Sequence, residues 1–165
     1  MRDLNKSLYF FNFFIFVVCI LSGSAFSQPI TLIENGISKT TIFVKQEVIT
    51  ATPGETAAHK KLRESVKDLV YYLEKITGTK VGLITKSPED HDDYIPILIG
   101  DYAIDRFGPT KKTDPYKQSW RLVISEKGIG MIGQSEESTT HAIYEFLERI
   151  GCRWYMPGEI GQVIP

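Results

Sequence analysis

The segment Tyr94-Ile95-Pro96-Ile97-Leu98-Ile99 constrains this chain more than any other. It has the length of a strand and almost no polar face, so both of its sides need cover. Pro96 cannot donate to a ladder and belongs near the start of such a strand. Two amphipathic helices are at hand. Ala58, Leu62, Val66, Leu69, Val70, Leu73 and Ile76 recur three and four residues apart and form one apolar stripe. Lys60, Lys61, Glu64, Lys67, Asp68, Glu74 and Lys75 occupy the rest of that helix as a solvated face, with Lys60 and Glu64 one turn apart and able to pair. Gly78 supplies the stop. The second helix is expected over residues 136–150, with Ala142, Ile143, Phe146, Leu147 and Ile150 on its stripe and Gly151 as its end. Ser135 suits its N-cap, and Glu136 and Glu137 suit the positive end of its dipole.

The remaining strands are short. Residues 30–33 and 37–44 flank Asn35-Gly36, a dipeptide favoured in tight hairpin turns. Residues 120–125 and 129–132 form a second hairpin around Glu126-Lys127-Gly128. A strand is expected over 81–85, and a turn with a short helix over 100–108. The pattern predicts an α+β fold: a two-layer sandwich whose mixed or antiparallel sheet carries the two main helices on one face.

The N-terminus reads differently. Arg2 and Lys6 precede an apolar run of 14 residues from Leu8 to Leu21, broken only by Asn12. Small residues follow, with Ala25 and Ser27 placed for a cut before Gln28. This is the layout of a secretory signal peptide, and the run is shorter than the roughly 18–20 residues of a membrane span. The expected organisation is therefore a signal over 1–27 and one domain over 28–165, exported to the periplasm or the cell exterior, with no stable membrane span after cleavage. Loss of Arg2, Asp3 and Lys6 from the 19 basic and 20 acidic residues leaves 17 and 19, with Cys152 as the one thiol. No internal disulfide is then available, and a buried, structural Cys152 is expected. A net charge this close to neutral speaks against a nucleic-acid partner held by phosphate contacts.

Motifs that could carry chemistry fail on context. Gly128-Ile129-Gly130-Met131-Ile132-Gly133 matches the dinucleotide fingerprint, but Ile129, Met131 and Ile132 fill it like strand residues, and the helix starts only after Ser135. His59 and His141 are expected in the first turns of the two helices. His91 lies in Glu89-Asp90-His91-Asp92-Asp93, which lacks the ligand spacing of a calcium loop and the convergent set of a zinc site. No catalytic, cofactor-binding or metal-binding residue is nominated, and no cofactor is expected.

The most distinctive stretch is Ala142-Ile143-Tyr144-Glu145-Phe146-Leu147-Glu148-Arg149-Ile150-Gly151-Cys152-Arg153-Trp154-Tyr155-Met156-Pro157-Gly158, followed by Val163-Ile164-Pro165. It resembles the end of the non-catalytic N-terminal domain of α-glucuronidases, and is similar to domain 2 of β-N-acetylhexosaminidases. The order of the earlier elements agrees over nearly all of residues 30–165, while Ser135 to Thr140 departs from the Gly or Arg-Gly usual before the last helix. The resemblance implies an accessory domain of an exported, carbohydrate-degrading glycoside hydrolase. Its partner would be a catalytic (β/α)8 barrel that follows it and lies outside this chain, with polysaccharide as a further partner. The family's catalytic carboxylates belong to that barrel, so none is carried over here. The alternative is a stand-alone extracellular carbohydrate-binding or adhesion module. Arg153, Trp154 and Tyr155 are the candidate contacts. They can be read as a strand completing the core, as a surface packing on a neighbouring domain, or as a sugar platform on Trp154.

Overall fold

The computed structural model describes residues 30–34, 37–88 and 94–165. The expected signal, the Asn35-Gly36 turn and the acidic loop around His91 lie outside the described residues. In chain order the strands are β1 (Ile33–Glu34), β2 (Ile37–Ser38), β3 (Thr40–Phe43), β4 (Gly82–Ile84), β5 (Ile95–Ile99), β6 (Trp120–Ser125), β7 (Gly128–Gly133), β8 (Arg153–Trp154) and β9 (Gln162–Val163). The helices are α1 (Gln46–Ile49), α2 (Ala57–Thr77), α3 (Asp101–Phe107) and α4 (Glu136–Arg149).

Five strands form the main sheet in the order β4-β3-β5-β7-β6, and the fold is α+β with a mixed sheet. β3 runs parallel to both β4 and β5, and β5 runs parallel to β7; within this sheet β6 alone is antiparallel to its neighbour. The second expected hairpin is thus β6–β7, while the first divides. β1 and β2 make a two-stranded ribbon of their own, and β3 leaves it to join the sheet. The reason lies at Lys39 and Thr40. The Ile95 amide donates to the Lys39 carbonyl at 2.6 Å, and the Thr40 hydroxyl donates to the Ile95 carbonyl at 2.7 Å. These bonds commit the start of β3 to β5, a strand buried on both faces that needs parallel neighbours on each side.

Period-two alternation sorts the apolar residues. Ile42, Val44, Ile97, Ile99, Ile129 and Met131 face α2 and α4. Phe43, Leu98 and Ile132 face the other way, onto Ala103 of α3 and the partly buried Phe107. The two main helices do share one face, as the stripes predict. The seven-residue α3 covers the centre of the opposite face. Gly130 makes that possible: a Cβ there would stand 2.4 Å from the Phe107 ring. On α2, Leu62, Val66, Leu69 and Leu73 are each 4% exposed or less. Burial of such side chains is worth about 1.5–3 kcal/mol apiece. That stripe secures the helix far more than its surface pairs, of which Glu64 forms one with Lys67 at 3.0 Å instead of with Lys60.

Candidate functional site

The three candidate residues near the C-terminus separate by register. Cys152 is fully buried as α4 ends, and burial pushes its thiol above the ordinary range, against a smaller opposing pull from Arg153. β8 and β9 then pair antiparallel, Arg153 opposite Val163 and Trp154 opposite Gln162. Alternation sends Trp154 inward. Its ring stands edge-on to Tyr72 at 5.3 Å and to Tyr144 at 5.6 Å, and its indole N–H donates to the Tyr72 hydroxyl at 2.8 Å. Tyr144 in turn donates to Asp68 at 2.6 Å. Burial, then the bond to Asp68, hold this phenol well above the usual tyrosine range. Trp154 is therefore the last piece of the core between α2 and α4.

Arg153 turns back on the helix it follows. Its guanidinium donates to the Glu148 carbonyl and, at 2.6 Å, to the Cys152 carbonyl, placing a cation at the negative end of α4. Tyr155 points out and is 75% exposed. It shares the ribbon with Met156, Ile160 and Val163, which are 58%, 96% and 48% exposed. The ribbon is tightly closed: the Tyr155 amide donates to the Gly161 carbonyl at 2.8 Å. An anchored inner face and an apolar outer face make this ribbon a candidate interface.

A second feature lies at the carboxyl ends of the parallel strands. Chain leaving β3 passes through α2 on one face and arrives at β4, whereas chain leaving β5 enters α3 on the opposite face and proceeds toward β7. Between β3 and β5 the connections diverge, which is where open parallel sheets hold crevices. A cavity of about 300 Å³ sits there. Its apolar floor includes Val48, Leu62, Ile99 and Ile104. Two ion pairs stand on its rim. Lys45, just after β3, meets Asp101, just after β5, at 2.6 Å; Asp101 is the main reason the ammonium is held above its ordinary range. His59 meets Glu136 at 2.6 Å through Nδ1, and its Nε2 stands 3.0 Å from the Glu47 carbonyl. The hydrogen bond to Glu136 raises the imidazole above its usual value, against the opposing effect of burial.

Gly133 brings α4 to the edge of this crevice. A Cβ there would meet the Thr139 amide nitrogen at 2.2 Å and the Ser138 carbonyl carbon at 2.6 Å. Its place in the glycine pattern is thus close strand-to-helix packing; the whole pattern lies in β7, which takes in Gly128 and Gly133 beyond the strand expected over 129–132. Ser135 caps α4 as expected, in a capping box completed by Ser138. His59 falls in the first turn of α2, but His141 is exposed and lies in the second turn of α4. Among the described residues no group of three or more His, Cys, Asp or Glu side chains is arranged to hold a metal ion, and no helix is long and apolar enough to cross a membrane.

The sequence reading places His59 and Glu136 at two helix starts without joining them. Both helices follow parallel strands, so both starts lie at the same end of the sheet; parallel topology is the signal that unites them. No family model matches the chain, and no curated protein matches it.

Proposed function

We propose that this chain is the accessory, non-catalytic N-terminal domain of an exported carbohydrate-degrading glycoside hydrolase of the α-glucuronidase type, and that it docks on the catalytic (β/α)8 barrel through the β8–β9 ribbon. The supporting observation is the outer face of that ribbon. Tyr155, Met156, Ile160 and Val163 expose apolar surface side by side on a segment whose inner face is fixed by Trp154. Contiguous exposed apolar surface of this kind is characteristic of interaction sites, and an aromatic residue beside an Arg is the usual make-up of a hot spot. Rigidity of the ribbon favours docking, because few side chains then lose freedom on contact.

The test mixes the full chain with a separately produced α-glucuronidase barrel and follows heat release by titration calorimetry. Saturable association is expected, weakened at least tenfold by Ile160→Asp and by Tyr155→Ala, which alter exposed positions and leave the core intact. No association, or equal association by both variants, overturns the proposal. So does release of 4-nitrophenol from a glucuronide by the chain alone. Binding of xylan oligomers that disappears in Tyr155→Ala would replace docking by a stand-alone carbohydrate-binding module.

A further inference from the structure

We infer that the crevice between β3 and β5 is a binding site for a single pyranose ring, neutral or amine-bearing. The inference is independent of docking through the ribbon, since the crevice lies at the carboxyl ends of the strands and shares no lining residue with residues 153–163. Four observations carry it.

Position comes first. The crevice opens where the connections from β3 and β5 diverge, lined by the short α1 that follows β3 and by the starts of α3 and α4. Size comes second: about 300 Å³ lies at the lower end for small-molecule pockets and matches one sugar ring better than a nucleotide.

The third observation is the division between floor and rim. Val48, Leu62, Ile99 and Ile104 present aliphatic surface below, and the charged groups stand around the edge. A pyranose has the complementary form, with a face of C–H groups and a perimeter of hydroxyls.

The fourth is the chemistry of the rim. A hydroxyl both donates and accepts, so it is best met by a donor and an acceptor side by side. Lys45 and Asp101, 2.6 Å apart, offer that combination. A vicinal diol can donate a hydrogen bond to the carboxylate while accepting one from the ammonium. Across the crevice, the Glu136 carboxylate stands by His59. Three carboxylates, Glu47, Asp101 and Glu136, face two cationic groups, Lys45 and His59. This balance disfavours a uronic acid and favours an uncharged or cationic sugar.

The experiment titrates the isotope-labelled full chain separately with glucose, glucosamine and glucuronate while amide resonances are followed by NMR. Glucosamine and glucose are expected to produce saturable shifts at Gly100, Asp101 and Gln134. Glucuronate is expected to bind at least tenfold more weakly. Asp101 is an exposed residue at a helix start, so Asp101→Asn should keep the spectrum elsewhere and weaken glucosamine binding about fivefold or more. The Tyr155→Ala variant should bind as the parent does, which separates this site from the ribbon. The inference is overturned if no crevice amide titrates with any of the three sugars, if glucuronate binds tightest, or if Asp101→Asn binds glucosamine unchanged.

Discussion

Replacing Trp154 by Phe tests whether this residue belongs to the core or to a surface. The variant keeps one aromatic ring between Tyr72 and Tyr144 but removes the indole N–H that donates to the Tyr72 hydroxyl at 2.8 Å. Tyr72 is only 5% exposed, so its hydroxyl is left without its donor in a place water reaches poorly. Stranding a buried hydroxyl costs about 1–3 kcal/mol, and trimming two edge-on aromatic contacts removes a further fraction of about 0.5–1.5 kcal/mol each. The expected loss is about 2 kcal/mol, or about 6 °C in Tm for a domain of this size. Tyr72→Phe strands an N–H on the more exposed partner and should cost less, about 1 kcal/mol. In the double variant neither group is stranded, so the two losses overlap by about 1 kcal/mol. Urea unfolding followed by far-ultraviolet circular dichroism measures all three without relying on the lost fluorophore. Additivity within about 0.3 kcal/mol, or a Trp154→Phe variant within about 0.5 kcal/mol of the parent, would refute the core assignment.

Two further outcomes follow from the crevice walls. Gly133→Ala drives a methyl into backbone atoms of α4 and into the Ser138 hydroxyl that completes its capping box, so about 3 kcal/mol of destabilisation is expected, with amide shifts concentrated over residues 135–140. Calorimetric Tm together with NMR checks both parts, and a Tm unchanged within 1–2 °C (roughly 0.5 kcal/mol) contradicts the close approach. His59 titrates above its ordinary value of 6.5 because Glu136 accepts from its ring. A folded-state value raised in this way contributes stability that is complete below about 6.5 and is lost as pH rises through the higher folded value. Tm of the parent should therefore fall across the neutral range relative to His59→Gln, and parallel profiles would show that the pair contributes nothing.

The helices and their ends are legible in the sequence because their causes are local. The 3.6-residue stripe of α2, the Ser135 cap and the glycines that follow each helix act within a few residues of where they are read. Strand pairing is different. The first expected hairpin holds in its strand pairing only as far as Ser38, since the partner that claims Thr40 is Ile95, far along the chain. The six-residue apolar run at 94–99 announces a central strand but carries no mark of which neighbours flank it or in which direction. The crevice is assembled from Lys45, His59, Asp101 and Glu136, one residue from each of four segments, and no spacing rule connects them. At the C-terminus the three candidate residues have three separate places. Trp154 faces inward and Tyr155 outward by simple alternation, but which of them faces the core depends on pairing with β9, two residues long.

The order of the main sheet also governs how the chain comes together in time. Thr40 bonds to a residue 55 positions later, and β5 must wait for β7 beyond α3 and the whole of β6. Among the described residues of this sheet, β6 and β7 make the one hairpin; β3 and β4, also consecutive strands, pair in parallel across α1 and α2. Closing long loops before they are rewarded by contacts makes such topologies slow. During synthesis, β3 with Ile42, Phe43 and the following Val44 emerges early, and it stays an apolar strand with only the short, exposed β4 to pair with until β5, 55 positions beyond Thr40, has followed. The interval between its appearance and its pairing with β5 is the stage at which this chain is most open to mispairing with another copy of itself.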